Sequence, residues 1–193
     1  MKIQSLFINQ INRQLKLGKI GVIPTDTIYG IVGSALNPQT VEEIYKLRKR
    51  STDKPMIILI SALSDLKKFN IDLKPKQVDF LKKIWPNPVS VVLSCSSKKF
   101  KYLHRGRNSL AFRIPKNELL LKVLQQVGPL VAPSANLEGE PPAKNIEQAS
   151  RIFAEKVDFY VDGGEVNHQS STIIRLSDEG LPAVLRNRGV RLH

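Results

Sequence analysis

The chain is constrained most by its succession of short, branched apolar runs, none of them long enough to form a buried helix. KIGVIP, MIILIS, VSVVLS, LAFRIP, PLVAPS, FYVDG, STIIRL and AVLRN follow one another along the sequence, separated by stretches of different periodicity. Runs of this length, rich in Val, Ile and Leu, read as buried strands. The segments between several of them repeat apolar residues at helical spacing. Ile3, Phe7, Ile11 and Leu15 precede Gly18, and Val41, Ile44 and Leu47 share one face after Thr40. Thr40 and Glu43 have the spacing of a capping box, which predicts a helix start at Thr40. Further helices are expected near 62–69, 75–84, 117–127 and 145–154, whereas 96–108 lacks periodicity and is expected to be a mobile loop. Strands alternating with helices define a layered α/β fold. With no internal repeat and no long linker, one domain is expected over residues 1–193.

Charge narrows the partners. Thirty Lys and Arg against seventeen Asp and Glu leave a net +13, a balance suited to polyanions such as nucleotides or RNA. Part of it is a solvated lysine surface, to which Lys67, Lys68, Lys82, Lys83, Lys98 and Lys99 are assigned. No apolar run approaches the ~18 residues that span a bilayer, and the start has no signal-peptide core, so a cytoplasmic chain with no membrane partner is expected. One cysteine, Cys95, excludes an internal disulfide framework, and three histidines offer no spaced set for structural zinc. Cys95 lies in an apolar run and is assigned to packing.

Three segments can carry chemistry. Pro24 to Gly30 (PTDTIYG) leaves a strand with hydroxyls and a carboxylate in one turn, either lining a polar site or satisfying its own backbone. Arg48, Lys49, Arg50 and Lys54 place four cations within seven residues at a helix end. The helix dipole accounts for part of this, but the number and the mixture of Arg forks with Lys point charges favour a polyphosphate. Pro133-Ser134-Ala135-Asn136 follows an apolar strand and either hydrogen-bonds a ligand or shapes a turn. Arg113, inside LAFRIP, needs a carboxylate partner or an anionic ligand, and Arg186, Arg188 and Arg191 crowd the C-terminus. Walker, dinucleotide-fingerprint and nucleophile-elbow motifs are all absent. Hydroxyls, amides and guanidinium groups remain, a set suited to positioning and charge stabilisation in phosphoryl or nucleotidyl transfer.

Taken in order, PTDTIYG, RKRSTDKPM, WPNPVSVVL, LAFRIP, PSANLEGEPP, SSTI and LRNRG resemble the YrdC-like threonylcarbamoyl-AMP synthases over most of the chain. The resemblance implies a single-domain twisted mixed sheet flanked by helices. It also implies the joining of L-threonine, bicarbonate or CO2 and ATP into threonylcarbamoyl-AMP with release of pyrophosphate. Mg²⁺ would accompany ATP, and downstream threonylcarbamoyl-transfer proteins would use the product to modify tRNA. By position in the motifs, Thr27, Tyr29, Ser109, Arg113 and Ser171 would meet threonine. Arg50, Lys54, Ser134, Asn136 and Arg186 would meet ATP, and Arg48, Arg50 and Lys54 would offset developing phosphate charge. The family often has Lys where Arg48 stands, Gly where Asn87 stands and Thr where Ser90 stands. Long-form relatives have His where Leu59 lies and an added C-terminal domain, so the resemblance is to the short form. The other class that the charge permits is a non-catalytic RNA-binding module with a basic concave face. The scarcity of aromatics among the basic runs argues against it.

Overall fold

The computed structural model describes residues 2–189, with side chains from residue 8 onward. The side chains of Ile3 and Phe7, and Arg191, lie outside the described residues. Helices α1 (Lys2–Lys16), α2 (Pro38–Leu47), α3 (Pro75–Ile84), α4 (Lys101–His104), α5 (Glu118–Val127) and α6 (Ile146–Phe153) surround a sheet. Its strands are β1 (Gly21–Pro24), β2 (Tyr29–Ser34), β3 (Ile57–Leu59), β4 (Val89–Ser94), β5 (Ser109–Arg113), β6 (Leu130–Val131), β7 (Phe159–Tyr160), β8 (Thr172–Leu176) and β9 (Pro182–Arg186). The strand order is β7-β1-β2-β6-β3-β5-β4-β8-β9. Three pairs are parallel (β1 with β7, β3 with β5, β4 with β8) and the others antiparallel, so the sheet is mixed, as expected.

Side-chain alternation sorts the strands into two faces. Val22, Ile31, Ile58, Phe112, Val91, Val131 and Ile174 enter one apolar cluster, with the inner faces of α2, α3 and α6. Their neighbours Ile23, Val32, Leu59 and Leu130 enter a second cluster with Ile11 and Leu15 of α1 and Leu120, Val123 and Leu124 of α5. The first cluster runs under the sheet from β1 to β8. The second stops at β3. Beyond it the same face carries Ile57, Ala111, Arg113, Ser90, Val92, Ile173 and Arg175, paired across β3, β5, β4 and β8. That uncovered half is where a ligand can sit.

Three sequence expectations are corrected. Helix α2 starts at Pro38, capped by the Asn37 side chain, which accepts from the N–H groups of Gln39 and Thr40 at 3.0 and 3.3 Å. Thr40 is inside the helix, its hydroxyl donating to the Gly18 carbonyl at 2.9 Å. Strand β2 went unread because Gly30 and Gly33 dilute its apolar pattern. Gly33 is required there: a Cβ would lie 2.4 Å from Thr40 Cγ2, where α2 packs on the strand. The 96–108 segment contains a 3-10 turn at Lys98–Phe100 and helix α4, anchored by Phe100 and Leu103, which are 1% and 2% exposed. Cys95 is buried, as expected, and the six surface lysines named above are exposed. Among the described residues no helix is long and apolar enough to cross a membrane.

Two stability predictions follow from this packing. Gly33→Ala forces apart β2 and α2 and should lower stability by about 1–3 kcal/mol in urea unfolding. Asp65 is penalised by burial, but hydrogen bonds from Lys68 and from the Ser61 hydroxyl and N–H more than offset this and hold its carboxyl below the usual 3.8. Its contribution is therefore complete above the unfolded-state value and is lost as pH falls through the lower folded-state value. Asp65→Asn should remove that part of the acid limb in a stability-against-pH series.

Candidate active site

The site grows from the end of α2. Lys49 takes a left-handed conformation (φ 48°), which stops the helix and sends the two flanking arginines different ways. Arg48 turns inward and is 2% exposed. Its Nε donates to the Asn136 carbonyl at 3.0 Å, and its Nη2 donates to Asn136 Oδ1 at 2.9 Å and Ser134 Oγ at 3.2 Å, while Nη1 is buried with no partner. Arg50 folds back along its own loop, donating to the carbonyls of Lys54 and Pro55 at 3.0 and 3.2 Å. The 134–138 turn is fixed against β2, since Ile31 N–H donates to the Pro133 carbonyl and Ala135 N–H to the Tyr29 carbonyl.

On the opposite side, Arg113 ends β5 and is 4% exposed. Its Nη2 lies 3.1 Å from Asp26 Oδ1, and Asp26 Oδ2 accepts the Lys116 N–H at 3.0 Å. Arg113 thus has the carboxylate partner that its burial required, with Nε still unpartnered. The turn that presents Asp26 is organised by the Thr25 hydroxyl, which donates to the Ile28 carbonyl at 2.7 Å and accepts from the N–H groups of Thr27 and Ile28. Ser171 Oγ and Ser90 Oγ are 2.8 Å apart and buried, and Arg186 donates through Nε and Nη2 to the Ser171 carbonyl.

These groups enclose a cavity of about 180 Å³ whose lining includes Thr27, Arg48, Arg50, Arg113, Ser134, Ser171 and Arg186. Seven of the residues singled out in the sequence therefore converge. Burial, and then the nearby Arg50, pull Arg48 down to about 10, so it remains charged at neutral pH. Burial lowers Arg113 as well, Asp26 opposing the effect and Arg186 adding to it. Arg186 is lowered by burial and by Arg188. Guanidinium groups crowded and desolvated in this way are a preformed receptor for anions.

Four other singled-out residues lie elsewhere. Tyr29 is fully buried, and its hydroxyl accepts the Gly163 N–H at 2.9 Å and donates to the Gly164 carbonyl at 2.8 Å, so it braces a loop and does not open on the cavity. Asn136 is also committed internally: its Oδ1 holds Arg48, and its Nδ2 donates to the carbonyls of Leu137 and Glu140 at 2.7 Å. Lys54 and Ser109 line an adjoining groove of about 600 Å³ that shares Arg50, Pro55, Ile57 and Ile173 with the cavity and adds Arg107 and Arg175. Lys54 Nζ is 2.6 Å from Glu138. Glu138 stands within PSANLEGEPP with no role assigned to it by the sequence. Its partners lie 84 and 87 positions away, and no local spacing signals them. Among the described residues no group of three or more His, Cys, Asp or Glu side chains converges to hold a metal.

The Sua5/YciO/YrdC family model, described as "Telomere recombination", matches residues 13–188. The chain belongs to this family. It is 32% identical over 181 residues to a Pyrococcus abyssi protein named threonylcarbamoyl-AMP synthase, covering 92% of this chain and 53% of that one. It is 31% identical to the Pseudoalteromonas translucida protein of the same name, covering 82% of this chain and 87% of the relative. A crystal structure of P. abyssi Sua5 complexed with L-threonine superposes with a TM-score of 0.84 at 30% identity, covering 93% of this chain and 53% of that one. The chain therefore spans about half the length of the P. abyssi relative, and the resemblance read from the motifs holds at the level of family and fold.

Family membership does not alter the electrostatics of the cavity. Arg113 and Asp26 form a buried charge pair with 4% of either side chain exposed. Asp26→Asn would leave the Arg113 guanidinium without a countercharge, and a loss of about 3–5 kcal/mol is expected in chemical denaturation.

Proposed function

We propose that the chain catalyses formation of threonylcarbamoyl-AMP and pyrophosphate from L-threonine, bicarbonate or CO2 and ATP. The observation that carries this reading is the convergence of four guanidinium groups, Arg48, Arg50, Arg113 and Arg186, with Thr27, Ser134 and Ser171 on one small cavity. The names of the relatives and the threonine complex of a related structure point the same way. The enclosed, hydroxyl-lined shape suits small anionic substrates. Among the described side chains the aromatics are buried or half-buried, so the stacking platform of a single-stranded RNA binder lacks support.

In this reading Arg113, oriented by Asp26, grips the carboxylate of threonine, while Thr27 and Ser171 face its hydroxyl and amine. The neutral amine attacks the carbon of CO2, and the nitrogen then gives up one proton to water, leaving a carbamate. A carbamate oxygen then attacks the α-phosphorus, and the bond to the β-phosphate oxygen breaks as pyrophosphate leaves. No enzyme nucleophile is required. Arg48 and Arg50, with Ser134, receive the charge that develops on the phosphates, and Lys54 and Ser109 extend that surface along the groove. In this reading Mg²⁺ arrives with the ATP substrate and helps to offset phosphate charge. The product would pass to threonylcarbamoyl-transfer proteins acting on tRNA, in the cytoplasm.

Pyrophosphate release from ATP and bicarbonate should depend on L-threonine and fail with serine or alanine. Arg50→Ala should lower turnover about 100-fold with little change in thermal unfolding, since Arg50 is only half-buried and bonds within its own loop. Release without threonine dependence would overturn the assignment, and full activity of Arg50→Ala would remove that residue from the machinery.

A further inference from the structure

Glu138 joins the two loops that form the phosphate-facing wall. One carboxylate oxygen accepts from Lys54 Nζ at 2.6 Å, and the other accepts the Ser51 N–H at 2.5 Å. Its own N–H donates to the Arg48 carbonyl at 2.9 Å. The two halves of this bracket differ in kind. The Ser51 contact and the backbone contact fix the course of the chain, as do the Arg50 bonds to the Lys54 and Pro55 carbonyls. The Lys54 contact is made by a flexible side chain that is 55% exposed, and it is the part that can be exchanged.

We propose that Glu138 is a displaceable latch for Lys54: the lysine rests on Glu138 in the free protein and transfers to a polyphosphate that enters the groove, while Glu138 stays on Ser51 and keeps the loop in shape. The inference rests on reading the 48–54 loop as a polyphosphate site, not on the identity of the acyl substrate. A polyphosphate presents several charges to a lysine now held by one carboxylate, so the exchange runs toward the ligand. Glu138 thereby acts as a positioning residue that also moderates affinity, because each binding event must first break the Lys54 contact. A hydrogen bond from the Lys54 side chain, and then one from the Ser51 N–H, hold its carboxyl below the usual carboxylate range.

The test is calorimetric binding of inorganic tripolyphosphate to the full chain, with no threonine or nucleotide present. Glu138→Gln keeps an acceptor for Ser51 but frees Lys54, and should tighten binding about two- to fivefold. In the Lys54→Met background the same substitution should give no gain. Unchanged or weaker binding by Glu138→Gln, an equal gain in the Lys54→Met background, or no tripolyphosphate binding at all would each overturn the latch. On the native chain, the carboxyl ¹³C resonance of Glu138 should move as tripolyphosphate binds, and a static resonance at saturation overturns it without any variant. Failure of threonine-dependent pyrophosphate release with these results intact would remove the proposed reaction and leave the latch standing. Release with a static Glu138 would do the reverse.

Discussion

A buried guanidinium organises the molecule around its site. Arg48 is withdrawn from water almost completely, and a charge in that position persists only where acceptors are fixed to meet it. The turn after β6 supplies them, two from Asn136 and one from Ser134. Because β6 is hydrogen-bonded between β2 and β3, the turn is fixed to the centre of the sheet, and Arg48 fixes the end of α2 to the same place. The loop from Arg50 to Lys54 inherits its position from this anchor, since Glu138 returns to it from the same turn. The cation wall of the cavity is thus built by the protein's own acceptors, and the desolvation of its guanidinium groups is a standing cost that those acceptors offset.

The sheet places the second wall. In β5, Leu110 and Phe112 face the core shared with α2 and α3, so Ser109, Ala111 and Arg113 must face the other side. In β8 the same alternation buries Ile174 and Leu176 and turns Ile173 and Arg175 outward. Over β1, β2 and β3 that other side is covered by α1 and α5, whereas over β5, β4 and β8 it is open. A face that is apolar at one end and carries Arg, Ser and short aliphatic side chains at the other forms a groove by omission of a helix. The charge pair of Arg113 with Asp26 closes the groove where the helices begin.

These two features were unequally legible in the sequence. Period-two alternation and branched composition identify most strands, and Arg113, which interrupts it, is thereby marked as needing a carboxylate partner or an anionic ligand. The 48–54 cations were visible as a cluster because they are contiguous. Strand β2 was not, because the glycine that lets α2 approach it also removes the apolar signal. The cap at Asn37 lost to a better-spaced pair inside the helix, where tertiary contact with Gly18 had claimed Thr40. The 96–108 segment read as loop because its anchors, Phe100 and Leu103, are too few to show a period. Tyr29 and Asn136 stand in motif positions, yet whether a polar side chain faces a ligand or supports a neighbour depends on partners more than a hundred residues away for Tyr29 and 88 away for Asn136.

The identity of residue 48 shows how tightly turn and helix end are matched. Three acceptors at 2.9 to 3.2 Å surround its guanidinium, and Nε and Nη2 reach them from one plane. A lysine has the charge but not the fork. Its ammonium would meet the Asn136 and Ser134 oxygens from a single point, leaving Asn136 Oδ1 or its carbonyl short of a donor unless the turn moved. The geometry of the 134–138 turn is therefore set for arginine, and with it the placement of Ser134 on the cavity wall and of Glu138 against Ser51 and Lys54. Nη1, the corner of the fork that no protein group satisfies, belongs to a side chain that lines the cavity. Because Nη1 is itself buried, the guanidinium is held in the wall by Nε and Nη2 and its charge reaches the cavity through space.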